Sequence, residues 1–128
     1  MKQIIFFLTA ILLSTNVALA QTDDEAASLS VGEESYDFGK IKENGGKVSH
    51  TFLVKNDGRQ PLVITRVIAS CGCTTPEWTK EPIAPGKTGE ILVTYDPQGR
   101  PGAFAKTVSI YSNGKKGSQV ITIRGEVN

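Results

Sequence analysis

From residue 29 to residue 128, apolar residues recur at every second position of short segments that are separated by Gly, Asn, Asp and Pro. This period is typical of β-strands with one buried face, whereas helices repeat after about 3.6 residues. The clearest case is segment 48–55, in which Val48, Phe52 and Val54 share one face until the turn sequence 56–58 ends the strand. The pattern predicts about seven strands, at 36–41, 48–55, 62–69, 77–83, 91–95, 104–110 and 119–127.

The density and spacing of these segments indicate the architecture. Segment 62–69 is rich in Val and Ile, which predicts a central strand buried on both faces. Asn113-Gly114 and Gly117-Ser118 bracket two lysines, which indicates a hairpin loop before the last strand. The segments contain no convincing helix or internal repeat. The sequence therefore predicts a single all-β domain, an immunoglobulin-like antiparallel β-sandwich of about seven strands.

The N-terminal segment has a different pattern. Lys2 is followed by an apolar run at 4–13, and Ala18 and Ala20 are small residues at the positions that a signal peptidase reads. This run is too short to span a bilayer, which requires roughly 20 apolar residues. We therefore predict a signal peptide at 1–20, a mature chain that begins at Gln21, and export to the periplasm or the extracellular space. No cysteine follows the predicted cleavage site to carry a lipid anchor.

Cleavage would remove 20 of the 128 residues and leave 108, the size of one domain. It would also remove Lys2, so that 13 Lys and Arg balance 13 Asp and Glu. A neutral chain without a basic block offers no electrostatic basis for binding nucleic acid or an anionic membrane. Segment 21–28 is acidic and lacks β-branched residues apart from Thr22, which predicts a disordered lead-in before a domain at 29–128.

Both cysteines of the chain lie in the motif Cys71-Gly72-Cys73. In an oxidising compartment such close thiols can form a disulfide, and Gly72 permits the tight turn that this bridge requires. Two alternatives stay open: two thiolates can hold a soft cation such as Cu(I), and a cysteine pair can carry out redox catalysis. We adopt a structural disulfide, or inert buried thiols, as the leading interpretation and predict no metal. Cys71 and Cys73 are the metal-ligand candidates if that is wrong.

The remaining residues with chemical potential do not form an active site in the sequence. His50 is the sole histidine, and structural zinc normally requires four ligands. A cysteine paired with His50 would be a nucleophile without a third group to orient the pair, so we predict a strand histidine. Trp78 and Tyr36 are large enough to anchor a partner, but we expect both to pack within the sandwich.

Two fragments resemble enzyme motifs only in part. Pro85-Gly86-Lys87-Thr88 matches the end of a phosphate-binding loop, but Glu81 stands where that motif requires glycine. It predicts a turn into the following strand. Asp37-Phe38-Gly39 matches a kinase metal motif, yet a small β-domain cannot hold the remaining kinase elements. We expect Phe38 to be a core residue, and we predict neither enzymatic activity nor a cofactor.

Six short motifs occur in order along the chain: Y-D-F-G-K-I at 36–41, V-K-N-D-G at 54–58, S-C-G-C-T-T-P at 70–76, I-A-P-G-K at 83–87, Y-D-P at 95–97 and G-R-P-G-A-F at 99–104. Together they resemble a large family of secreted bacterial proteins known as a domain of unknown function. That family resembles the immunoglobulin-like sandwiches of major sperm protein, pilus chaperones, and ciliary and centrosomal domains. The resemblance implies a binding or assembly module and transfers no site residues.

These observations lead to one expected function and one alternative. The expected function is an exported, non-catalytic binding or structural module that engages a protein or an envelope component, with an exposed edge strand as the pairing surface. The alternative is a thiol-based Cu(I)-binding or redox protein that acts through Cys71 and Cys73. Neither requires nucleic acid, or a membrane span after signal cleavage.

Overall fold

The computed structural model describes residues 26–128. The predicted signal peptide at 1–20 and the part of the predicted lead-in at 21–25 lie outside these residues. The described part of the chain folds into eight strands: β1 (Leu29–Val31), β2 (Ser35–Ile41), β3 (Val48–Asn56), β4 (Ile64–Ala69), β5 (Thr74–Trp78), β6 (Thr88–Tyr95), β7 (Gly102–Ser112) and β8 (Ser118–Val127). No helix in this part is long and apolar enough to cross a membrane.

The strands form two four-stranded sheets, which we name sheet A and sheet B. Sheet A has the order β1-β3-β6-β5, and sheet B has the order β2-β8-β7-β4. The predicted all-β immunoglobulin-like sandwich is confirmed, with eight strands instead of about seven. The antiparallel prediction holds for the other pairs but is wrong for β2, which runs parallel to β8.

The core lies between the sheets and follows the predicted period of two. On β6, Ile91, Val93 and Tyr95 are all almost completely buried. Strands β3, β7 and β8 supply the matching residues Phe52, Val54, Val108, Ile110, Ile121 and Ile123. The aromatic ring of Tyr95 stacks on that of Phe104, with 4.0 Å between the ring centroids. Alternation along each strand thus provides one continuous apolar layer.

Three strand predictions need correction. Segment 62–69 was expected to be central, but β4 is an edge strand of sheet B and Ile68 is 47% exposed. The strand expected at 77–83 is β5, which begins at Thr74 and ends at Trp78. β1 was not predicted because it has only three residues. The density of Val and Ile indicates β-propensity but does not reveal which strands pair.

The folded domain begins before the predicted boundary at residue 29. Ala27 is only 3% exposed, and its carbonyl accepts a hydrogen bond from Lys115 N at 3.0 Å. The Ala26 carbonyl accepts one from Arg59 N at 3.1 Å. Gly58 allows this close packing, since a Cβ there would lie 2.0 Å from the Ala26 oxygen. Residues 26–28 are therefore part of the domain and not of a disordered lead-in.

Asn56, at the end of β3, is a buried polar residue that joins three segments. Its Nδ2 donates to the carbonyl oxygens of Gln60 at 2.7 Å and Ile83 at 2.9 Å. Its Oδ1 accepts hydrogen bonds from Ser28 N at 3.3 Å and Gly58 N at 2.9 Å. Among the described residues no buried side-chain polar atom lacks a partner. Asn56 thus ties the N-terminal segment and the 83–88 turn to β3.

Candidate functional site

The Cys71-Gly72-Cys73 turn connects β4 of sheet B to β5 of sheet A. A disulfide joins the two cysteines. Cys73 is 4% exposed and belongs to the core, whereas Cys71 is partly exposed. Gly72 is exposed, and no atom lies within 4 Å of the position that a Cβ would take. The disulfide therefore joins a buried cysteine to a partly exposed one that also packs against the core.

Backbone hydrogen bonds hold this turn on both sides. Ser70 N donates to a carbonyl oxygen of β7 at 2.9 Å. Thr74 N donates to the Cys71 carbonyl at 3.1 Å, and Asp96 N donates to the Cys73 carbonyl at 2.9 Å. In addition, Cys73 N lies 3.1 Å from Cys71 Sγ, to which it donates. The position of the turn is thus fixed by the two sheets as well as by the disulfide.

The structure does not bring the metal-ligand candidates into a metal site. Cys71 and Cys73 are adjacent, but their sulfurs are bonded to each other, and metals bind thiolates. Among residues 26–128, no group of three or more His, Cys, Asp or Glu side chains could hold a metal ion. A Cu(I) site at the turn would need reduction of the disulfide, and a structural zinc site would also need further ligands.

His50, on β3 of sheet A, lies in an aromatic cluster away from the cysteine turn. Its ring stacks on Tyr36, with 3.5 Å between centroids, and meets Phe52 edge to face at 4.8 Å. Its Nε2 forms a hydrogen bond with Glu33 Oε1. These contacts match the predicted strand histidine, and they do not include either cysteine. Tyr36 also packs against the core as expected.

Trp78, the other aromatic considered as an anchor, lies at the end of β5. It is partly buried and packs against the core. Lys80 Nζ lies 3.0 Å from the centroid of its ring, a cation–π arrangement. Trp78 therefore has intramolecular partners on both sides, as the packing interpretation predicted.

Three of the four sheet edges carry features that discourage pairing with another chain. β1 has three residues. β2 is interrupted between Asp37 and Lys40, where Gly39 has a φ of 71°. β5 contains Pro76. Short strands, bulges and proline are the usual protections of exposed edges.

The fourth edge, β4, has no proline or glycine among its six residues. Its register shift lies between Ile64 and Arg66, before the regular pairing of residues 66–69 with β7. Backbone groups of successive residues in a strand point to opposite sides. Because Ser70 N donates to Thr107 on β7, the N–H and C=O groups of Ala69 and Val67 point away from β7. These two residues present four backbone groups at the outer edge of sheet B.

An apolar patch lies beside this edge on the outer face of sheet B. Ile68 and Val120 are 47% and 53% exposed, and both lie opposite Ser109 on β7, one on each side of it. The Arg66 guanidinium lies 4.2 Å from the centroid of the Tyr111 ring in the next row. We call Arg66, Ile68, Tyr111 and Val120 the β4 patch. This patch was not predicted because β4 was expected in the centre of a sheet. Ile68, an apolar residue on the opposite face of the strand from the inward Val67, was the available signal.

Several solved structures have a similar fold at low sequence identity. The chain matches a protein of unknown function from Porphyromonas gingivalis W83 with a TM-score of 0.70 and 19% identity, over 84% of this chain and 50% of that one. It matches PapD-like domain 7 of human CEP192 with a TM-score of 0.67 and 9% identity, over 90% and 95% of the two chains.

A third match is the secreted serine protease VesC from Vibrio cholerae, with a TM-score of 0.58 and 15% identity. It covers 82% of this chain but 24% of the protease. This chain thus spans half of the first of these proteins and about a quarter of the protease. At these identities the likeness shows the fold alone and carries over no activity.

The family comparison agrees with the motifs. No functionally curated protein matches the sequence. Residues 29–127 match one family model, a range that contains all six motifs, so the resemblance is confirmed. The chain therefore belongs to the family described as protein of unknown function (DUF1573).

Proposed function

We propose that this protein is an exported, non-catalytic binding module that pairs the free edge of β4 with an extended segment of a partner protein. The observation that carries the proposal is the regular 66–69 part of the β4 edge, with outward backbone groups at Val67 and Ala69 beside the apolar β4 patch. An added strand would form main-chain hydrogen bonds with these groups, and its outward side chains would contact Ile68.

The protection of the other edges supports this choice of strand. Two hydrogen bonds fix which residues of β5 face β6: Asp96 N donates to Cys73 O, and Thr79 N donates to Glu90 O. Because backbone groups alternate along a strand, those of Pro76 point away from β6. The missing N–H of Pro76 therefore lies on the free side of β5, where it costs no ladder bond and blocks an added strand. The same protection is absent from β4.

The family and fold are consistent with a binding role. PapD-like and immunoglobulin-like sandwiches are scaffolds whose function depends on sites grafted onto them. Residues 26–128 contain no cluster that could hold a metal, and the sole histidine contacts Glu33 and two aromatic rings.

The proposal of export rests on the N-terminal sequence pattern. N-terminal sequencing of protein from the cell envelope would find Gln21 first if the proposed cleavage occurs.

The binding proposal can be tested with a proline at the edge. In Ala69→Pro, the removed N–H points away from β7, so the ladder within sheet B is retained while one outer donor is lost and the ring blocks a new strand. A partner crosslinked to the wild-type protein in envelope extracts should be lost from this variant. Circular dichroism should show that the variant keeps its β-structure.

Thr51→Pro is the matched control. Gly32 N donates to Leu53 O, so the backbone groups of Leu53 point away from β6. Because these groups alternate along a strand, those of Thr51 also point away from β6. Thr51 lies beyond the end of β1, whose last pair with β3 is at Val31. This variant should retain the partner. Recovery of the same partner with Ala69→Pro, or its loss with Thr51→Pro alone, would show that the β4 edge is not the binding surface.

A further inference from the structure

The two sulfurs of the Cys71-Gly72-Cys73 turn differ in their accessibility to another molecule. Cys73 is 4% exposed, and Cys71 is partly exposed beside the open Gly72. Thiol–disulfide exchange begins with attack by a thiolate on one sulfur, and access decides which sulfur is attacked. Cys71, which is partly buried against the core, is therefore the more accessible of the two cysteines to an external thiolate.

Hydrogen-bond donors lie beside both sulfurs. Cys73 N donates to Cys71 Sγ at 3.1 Å, and such a bond stabilises negative charge on the acceptor. Cys73 Sγ lies 3.6 Å from the hydroxyl oxygen of Thr74. A thiolate formed at either position would thus have a donor already in place.

The turn does not need the disulfide to keep its position. Only three residues are enclosed by the bridge, so closing it removes far less entropy from the unfolded chain than a long-range disulfide does. The backbone bonds of Ser70, Thr74 and Asp96 hold the turn between the sheets independently of the bridge. The dithiol form can therefore exist within the folded domain.

From these features we propose that Cys71–Cys73 is a thiol–disulfide exchange site that accepts two electrons from a dithiol of another protein. This activity goes beyond the binding function proposed above and does not depend on it. A thiolate of the other protein attacks Cys71 Sγ; a mixed disulfide forms, the Cys71–Cys73 bond breaks, and Cys73 leaves as a thiolate that takes up a proton.

The second thiolate of the other protein then attacks that protein's first sulfur, which is bonded to Cys71 Sγ in the mixed disulfide. A disulfide forms in that protein, and Cys71 leaves as a thiolate that the Cys73 N–H stabilises before it is protonated. The other protein is oxidised from dithiol to disulfide, and the turn is reduced from disulfide to dithiol. Two electrons are transferred, and no metal or cofactor is required.

The first test is the redox equilibrium of the purified chain in buffers of reduced and oxidised glutathione, with the thiols alkylated and counted by intact mass. A secreted protein with long-range structural disulfides serves as the reference. The Cys71–Cys73 pair should become reduced in buffers in which the reference stays oxidised, with unchanged far-ultraviolet circular dichroism. A pair that stays oxidised as long as the reference does, or that is reduced only with loss of structure, would overturn the proposal.

The second test compares two variants that each keep one thiol. Cys73→Ser leaves Cys71, and Cys71→Ser leaves Cys73. With glutathione disulfide as the probe, Cys73→Ser should form the mixed disulfide at least about tenfold faster, because thiol reactivity follows exposure and thiolate stabilisation. Equal rates, or faster reaction of Cys71→Ser with both variants folded, would refute the assigned roles.

Discussion

Replacing Asn56 by Asp would test whether the buried amide stabilises the domain through its two donated hydrogen bonds. The side chain is fully buried, and Asp has the same shape but no N–H donor. The Oδ1 contacts with Ser28 N and Gly58 N can persist. The second carboxyl oxygen, however, would face the carbonyl oxygens of Gln60 and Ile83, to which Nδ2 now donates at 2.7 and 2.9 Å.

The magnitude follows from these contacts. Two lost hydrogen bonds account for roughly 2 kcal/mol. The Ile83 carbonyl also accepts from Leu62 N at 2.9 Å, so it is not left unpaired. Burying a carboxyl group against two carbonyl oxygens adds a comparable penalty. We therefore expect the free energy of unfolding to fall by about 4 kcal/mol, a large part of the roughly 5–15 kcal/mol typical of a domain.

Asn113→Asp is the matched control for this change. Asn113 also uses Nδ2 to donate to a carbonyl, that of Pro61 at 3.1 Å, and uses Oδ1 to accept from Val63 N at 2.8 Å. Its side chain is exposed, so water can solvate the new charge and the loss should stay below about 1 kcal/mol. Urea unfolding followed by circular dichroism measures both values. Equal losses in the two variants would refute the reasoning from burial.

Three further predictions concern the core and the disulfide. Gly125→Ala would place a Cβ 2.8 Å from ring atoms of Phe104, and we expect a loss of about 1–3 kcal/mol in urea unfolding. Burial raises the pKa of Tyr95, so the neutral phenol is favoured in the folded state. The neutral phenol therefore stabilises the folded state fully below about pH 10, and this stabilisation is lost as pH rises through the folded-state pKa. The free energy of unfolding measured against pH should show this loss in the wild type and not in Tyr95→Phe. Reducing the Cys71–Cys73 bridge should lower the free energy of unfolding by only about 1.6 kcal/mol, the chain-entropy value for a three-residue loop, which thermal unfolding with and without reductant would measure.

The local parts of the fold could be predicted from the sequence, and the pairing of distant strands could not. Alternation identified β3, β6 and β8, because their inward residues all meet one core. The same pattern could not reveal that β2 lies parallel to β8, since this pairing joins residues more than 80 positions apart. β4 was misplaced for the same reason: Val67 and Ile68 have similar β-propensity, but one is buried and the other lies on an open face.

The candidate site was predicted in composition but not in geometry. The proximity of Cys71 and Cys73 followed from their spacing. Their unequal exposure did not, because it depends on β6 and β7, to which the turn is attached. The free edge of β4 was also not predictable, since it exists only because no strand follows β4 in sheet B. Functional geometry here arises from sheet order, which a local pattern does not contain.

The position of β8 has a consequence for how the protein is made. β8 (Ser118–Val127) lies between β2 and β7, so sheet B has no connection between these strands until β8 is available. A nascent chain that lacks these residues cannot complete either the sheet or the core it covers. Folding of sheet B must therefore wait until β8 has been synthesised. Under the export proposed above, this requirement would keep the chain unfolded until β8 has crossed the membrane.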